Sequence, residues 1–164
     1  AMTPSIPLLH AHGCAMPQIG FGTSQLGDCG DLVATALKAG YRHIDTAWKY
    51  GSEKGVGAGI RASGVPRADI FLVTKVSHEY LRADAFAKSV EESLANLQVD
   101  YVDLLHVHWP SPEKVPLSET MAALAKAKRD GLARHIGVAN FNIALIEEAQ
   151  HHCPEPLVTL QAEY

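Results

Sequence analysis

Short apolar runs alternate with amphipathic stretches along this chain, and few residues separate one from the next. The runs are Ile19–Thr23, Tyr41 to about Ala47, Ile70–Lys75, Tyr101–His108, Arg134–Asn140 and Leu157–Ala162. Between them the apolar period changes to that of a helix. Phe86, Val90, Leu94 and Leu97 form the clearest stripe, with Lys88, Glu91 and Glu92 off it. Asp31–Ala39 sets Leu32, Ala36 and Leu37 on one side and stops at Gly40. Ser52 is placed to cap a helix carrying Val56 and Ile60, which closes before Gly64-Val-Pro66. Ser118 opens a helix with Met121, Leu124 and Ala125 inward, and Ile143–Ala149 is the last. Strands joined through helices lie parallel with right-handed crossovers. The expectation is an α/β chain of six strands and five helices, one domain over residues 1–164.

A doubly wound sheet would be complete at 164 residues. A (β/α)8 TIM barrel would not, because that fold takes about 250 residues. On the barrel reading the chain is roughly the first two-thirds of the fold. Its sixth strand would then lack a neighbour, so the chain alone is expected to be inactive and prone to self-associate. A net charge of −4 gives no electrostatic case for nucleic acid or an anionic membrane. No apolar stretch is long enough to span a bilayer. The start, Ala1-Met2-Thr-Pro-Ser-Ile-Pro, lacks the basic and apolar regions of a secretory signal. Cys14, Cys29 and Cys153 fit neither a disulfide framework nor a zinc finger, and reduced thiols in the cytoplasm are expected.

Parallel strands bring their carboxyl ends to one face, where residues distant in sequence meet. Asp45, Lys75 and His108 each close an apolar run, and Tyr50 follows Asp45 on the next loop. A tyrosine hydroxyl has a reference pKa of about 10 and is a poor acid at neutral pH. A neighbouring cation favours the phenolate and improves proton donation, a role open to Lys75. A buried lysine needs a counter-ion, and Asp45 supplies one. His108 can hydrogen-bond a substrate oxygen that is gaining charge. This set polarises a carbonyl and protonates the alkoxide but supplies no hydride, so a nicotinamide cofactor is implied.

Several motifs carry a resemblance. They are Gly40-Tyr-Arg-His-Ile-Asp-Thr-Ala47 with Tyr50-Gly-Ser-Glu53, Val73-Thr-Lys75, Asp100-Tyr-Val-Asp-Leu104 with His108-Trp-Pro110, Gly137-Val-Ala-Asn-Phe141, and Gln161-Ala-Glu163. In order and spacing they resemble the aldo-keto reductases, most of all the small prokaryotic members that reduce sugar-derived ketones and aldehydes. The resemblance implies NADPH-dependent carbonyl reduction on a β/α barrel that is monomeric at full length. It implies Tyr50 as proton donor, Lys75 as the group that tunes it, Asp45 as the anchor of Lys75, and His108 as the group that orients the carbonyl. Gly22, Thr23 and Asp45 would lie by the nicotinamide ribose, Asn140 and Gln161 at the carboxamide, and Trp48 and Trp109 around the substrate.

The chain departs from the family in three ways. Ala139 stands where a serine is usual, which removes one carboxamide contact, and His106 stands where an aliphatic residue is usual. On the resemblance, the later strands, with the stacking aromatic and the phosphate-binding loop, would lie beyond Tyr164. Three other readings compete. His106-Val-His108 puts two imidazoles on one face of a strand, as in metal-dependent barrel hydrolases. No second ligand cluster accompanies them, so no metal is expected and His106 is read as a core residue bonded within the barrel. Gly57-Ala-Gly59-Ile-Arg-Ala62 fits a dinucleotide pattern but lies inside a helix, which points to small-residue packing. A non-catalytic barrel that senses its cofactor is the remaining alternative.

Overall fold

The structure is a computed structural model and describes residues 6–111 and 115–162. Most of the N-terminal leader, and Glu163 of the last motif, lie outside the described residues.

The chain begins with an antiparallel hairpin, β1 (Leu8–Ala11) and β2 (Cys14–Pro17). Then follow β3 (Phe21–Gly22), α1 (Gly30–Lys38), β4 (His43–Asp45), α2 (Glu53–Ser63), β5 (Phe71–Val76), α3 (Ala83–Leu97), β6 (Val102–Val107), α4 (Leu117–Arg129), β7 (Ala133–Ala139), α5 (Ile143–His152) and β8 (Leu157–Gln161). Strands β3 to β8 pair in chain order, every pair parallel. Six strands and five α-helices in this order make an incomplete (β/α)8 barrel, as the alternation predicts.

Two apolar layers flank the sheet. On the helix side Leu37, Ile44, Leu72, Phe86, Leu97, Leu105, Met121 and Ile136 pack into one buried cluster. Burying each such side chain contributes about 1.5–3 kcal/mol. On the inner side Phe71, Val73, Leu104 and Val158 meet Cys14, Ala11 and Met16 of the hairpin. The hairpin therefore floors the sheet at the end opposite the strand exits. Nothing in the alternation predicts this element, although its turn leaves a mark. His12 and Gly13 form a two-residue loop with φ of 48° and 80°, the left-handed pair that a tight hairpin requires.

The helices differ from expectation at their edges. Leu32, assigned to the inner face, is 51% exposed, and Val33 takes the inward position. The stripe of α1 is Val33, Ala36 and Leu37, spaced i, i+3, i+4. Helix α4 starts at Leu117 rather than Ser118, after Pro116. Helix α5 runs to His152, beyond Ala149, and is capped by Asn142, whose side chain accepts from the Leu145 amide at 2.8 Å. Ser52 does occupy the residue before α2, but its hydroxyl makes no bond to the helix. The small-residue pattern inside α2 is packing, as its position implies. A Cβ on Gly57 would lie 2.4 Å from Leu97 O, and one on Gly59 2.5 Å from Gly30 O. Cys14, Cys29 and Cys153 are all buried and free.

Candidate active site

The four residues singled out at the strand exits converge. Lys75 leaves β5 pointing inward and is 1% exposed. Its Nζ donates to Asp45 Oδ1 at 2.5 Å and to the Thr46 carbonyl at 3.0 Å. The same Nζ lies 5.2 Å from the centre of the Tyr50 ring. Tyr50 closes a short 3-10 turn, Trp48–Tyr50, and Gly51 follows at φ 69°. That left-handed residue turns the chain from the tyrosine into α2. The Tyr50 and His108 rings meet edge to face, centres 5.6 Å apart. His108 is fixed through its backbone, with its N–H on Val76 O at 3.0 Å and its carbonyl accepting from Asn140 Nδ2 at 2.9 Å.

Electrostatics follow from burial. Removing the Lys75 ammonium from water lowers its pKa below the ordinary lysine value, and the Asp45 carboxylate opposes that shift. Burial first, and the Lys75 charge second, push His108 down to about 4. At neutral pH His108 is therefore a neutral imidazole, with one ring nitrogen able to donate and the other to accept. Its Nδ1 has no hydrogen-bond partner among the described residues.

Two recesses open around this cluster and share Tyr50 and Gln161. One, of 320 Å³, is lined by Gly22, Thr23, Ser24, His43 and Asp45 as well. The other adds Lys75, His108, Ala139 and Asn140. Every residue expected at the nicotinamide thus lines one or other of these two recesses. Asn140 holds a left-handed φ of 61°, and its N–H bonds Gln161 O at 2.8 Å, joining the ends of β7 and β8. Of the two tryptophans, Trp109 stacks on His108 at 6.2 Å and is 38% exposed. Trp48 packs edge-on against Tyr80 at 4.8 Å.

His106 is the core residue that was expected, 2% exposed, with Nε2 2.6 Å from Thr159 Oγ1. To reach β8 its ring passes over β7 at Gly137, where a Cβ would stand 2.9 Å from the His106 ring. An extra residue in β8 accompanies this crossing, because Ile136 pairs with Leu157 but Val138 with Leu160. The bulge brings Gln161 opposite Ala139. Among the described residues no group of three or more His, Cys, Asp or Glu is placed to hold a metal.

A buried lysine paired with a partly exposed aspartate at neighbouring strand exits, beside a tyrosine and a neutral histidine, defines an α/β-barrel site suited to proton transfer. The chain belongs to the aldo/keto reductase family, whose model matches residues 18–164. It is 48% identical to the methylglyoxal reductase DkgB of Escherichia coli O157:H7, over 82% of this chain and 52% of that protein. An aldo/keto reductase structure from Brucella melitensis superposes with a TM-score of 0.92 at 41% identity, covering 98% of this chain and 64% of the other. The Bombyx mori aldo-keto reductase in complex with NADP gives 0.92 at 32% identity, over 99% and 59%. The chain spans about half the length of the curated relatives it matches.

Proposed function

We propose that these residues are the acid–base portion of an NADPH-dependent reductase of aldehydes or ketones, a single domain forming the N-terminal part of a full barrel. The observation that carries the reading is the Lys75 ammonium held 2.5 Å from Asp45 and set over the Tyr50 ring. The family match, and a relative crystallised with NADP, support the cofactor. The small dicarbonyl named for the Escherichia coli relative supports a small carbonyl substrate.

The recess fits a nicotinamide ribose and carboxamide. Gly22 leaves open space where a side chain would project, Asp45 offers a carboxylate acceptor with Thr23 buried behind it in the recess wall, and Asn140 and Gln161 offer amides. When bound, the nicotinamide supplies the hydride. The substrate carbonyl oxygen sits between Tyr50 and His108. His108, neutral, donates a hydrogen bond to it and fixes its orientation. The Tyr50 hydroxyl gives its proton to the oxygen as the carbon becomes tetrahedral, and the Lys75 charge stabilises the phenolate left behind. Asp45 and Thr46 O hold that charge in place. Trp48 and Trp109 border the approach to the site.

We further read the protein as cytoplasmic and monomeric at full length. Residues 1–164 alone should be inactive and should associate through the edge of β8. Substitution of Tyr50 by Phe in the full-length protein tests the function. NADPH consumption with a small aldehyde should fall at least about a hundredfold, while the NADPH Kd stays within about twofold. A wild-type protein that binds NADPH yet reduces no carbonyl would turn the reading toward a cofactor sensor.

A further inference from the structure

Ser52 stands immediately before α2, where a serine hydroxyl ordinarily bonds the helix, and it does not do so. Its Oγ lies 3.1 Å from Thr46 Oγ1 and 3.2 Å from Thr23 Oγ1. Thr23, Thr46 and Ser52 are 0%, 0% and 1% exposed, so water does not compete for these hydroxyls. Thr23 Oγ1 also donates to the Asp45 carbonyl at 3.0 Å.

A hydroxyl carries one proton, and this fixes the direction of the whole chain. The Thr23 proton is committed to Asp45 O, so Ser52 must donate to Thr23. Ser52 has then spent its own proton, so Thr46 must donate to Ser52. Only this assignment makes all three bonds. The run starts at the side chain of Thr46 and ends on the carbonyl of Asp45, adjacent residues in the backbone. Those two residues also hold Lys75, through the Asp45 carboxylate and the Thr46 carbonyl. The hydroxyl run is thus a closed brace around the backbone that anchors the lysine. Ser52 also lies two residues after Tyr50, so the same brace ties down the tyrosine turn.

We propose that Ser52 is a positioning residue for the reduction: through a one-way hydroxyl relay, Thr46 to Ser52 to Thr23 to Asp45 O, it sets Lys75 and Tyr50 relative to each other. The geometry assigns the diverted cap a use that a plain helix start does not have. Each bond polarises the next, so loss of the middle hydroxyl removes two bonds and leaves the Thr46 proton without its acceptor, while Thr23 keeps only its bond to Asp45 O. Ser52 touches no reacting atom, and its effect should appear in the chemical step rather than in binding.

The inference rests on the reductase reading only for its kinetic test. In the full-length protein, Ser52→Ala should keep a cooperative melt, with KM for carbonyl and Kd for NADPH within about threefold of wild type. Its kcat should fall about tenfold, and the tyrosine limb of the pH–kcat profile should move by about half a unit or more. Thr46→Val removes the first donor and should lower kcat in the same direction. Thr46→Ser keeps the hydroxyl and should restore it to within about threefold. Wild-type kcat with an unmoved limb in Ser52→Ala overturns the proposal. If Ser52→Ala does not fold, equal kcat in Thr46→Val and Thr46→Ser overturns it. If the wild-type protein reduces no carbonyl, the reductase reading fails, and Ser52 is judged on the ¹³Cε titration of Lys75. A midpoint displaced by about half a unit or more in Ser52→Ala supports the relay, and an unmoved midpoint overturns it.

Discussion

Lys75 and Asp45 share a 2.5 Å contact but not the same burial: the lysine side chain is 1% exposed and the aspartate 18%. The pair is therefore asymmetric. Removing the aspartate leaves a charge stranded in the protein, whereas removing the lysine leaves a carboxylate that water can reach. Asp45→Asn should cost about 3 kcal/mol of stability, and Lys75→Met about 1 kcal/mol or less. Both should abolish carbonyl reduction. Urea denaturation at pH 7.5 measures the difference, and equal losses would show that the pair is hydrated as a unit.

Acid should unfold the protein partly through two imidazoles. Burial holds His106 well below its ordinary pKa, and holds His108 at about 4 against 6.5 for the free group. As pH falls from about 6.5 toward 4, the unfolded chain takes up these protons first, so stability falls with pH across that window. Glu53 acts in the opposite sense, since burial raises its pKa and stability contributed by its neutral form fades as pH rises. That opposing effect is common to wild type and variant and cancels in the difference. His106→Leu should therefore lose less stability than wild type between pH 7.5 and pH 5. At pH 7.5 the variant should itself be weaker by about 1 kcal/mol, for the lost Thr159 bond. Urea midpoints at the two pH values test both statements.

Gly137 is the crossing point that lets His106 reach Thr159. A Cβ there would meet Thr159 Oγ1 at 2.5 Å, Thr159 O at 2.8 Å and the His106 ring at 2.9 Å. Gly137→Ala should cost about 3 kcal/mol, read as a fall in Tm. Adding Thr159→Ala should recover only part of the loss, because the carbonyl contact remains. Full recovery would mean that the backbone of β8 yields freely.

Much of the fold and of the candidate site was legible because it is written in local pattern. Phe86, Val90 and Leu97 repeat at helical spacing and are all buried. Asp45, Lys75 and His108 stand at the ends of apolar runs, and parallel topology alone carries them to one face. What escaped depends on partners distant in sequence. Ser52 has the residue type and position of a cap, and only the arrival of Thr23 and Thr46 diverts its hydroxyl. His106 finds Thr159 fifty-three positions away, across a strand that no pattern orders. The hairpin was missed for a different reason. Leu8 and Leu9 are about half exposed, so its β1 strand lacks the apolar alternation that marks a strand with one buried face. Its one signal was the His12-Gly13 turn.

That hairpin also has a schedule. It leaves the ribosome ahead of the side chains it packs on, which belong to β5, β6 and the much later β8. A segment synthesised before every strand it packs on is thus among the last of them to find its seat, waiting until residues near Val158 have emerged. Contacts so far apart in the chain form late because their loop entropy must be met before they stabilise anything. Pulse-labelled hydrogen exchange during refolding should find the amides of Ala11 and Cys14 protected after those of Leu72 and Leu105. Simultaneous protection would mean that the floor is laid along with the walls.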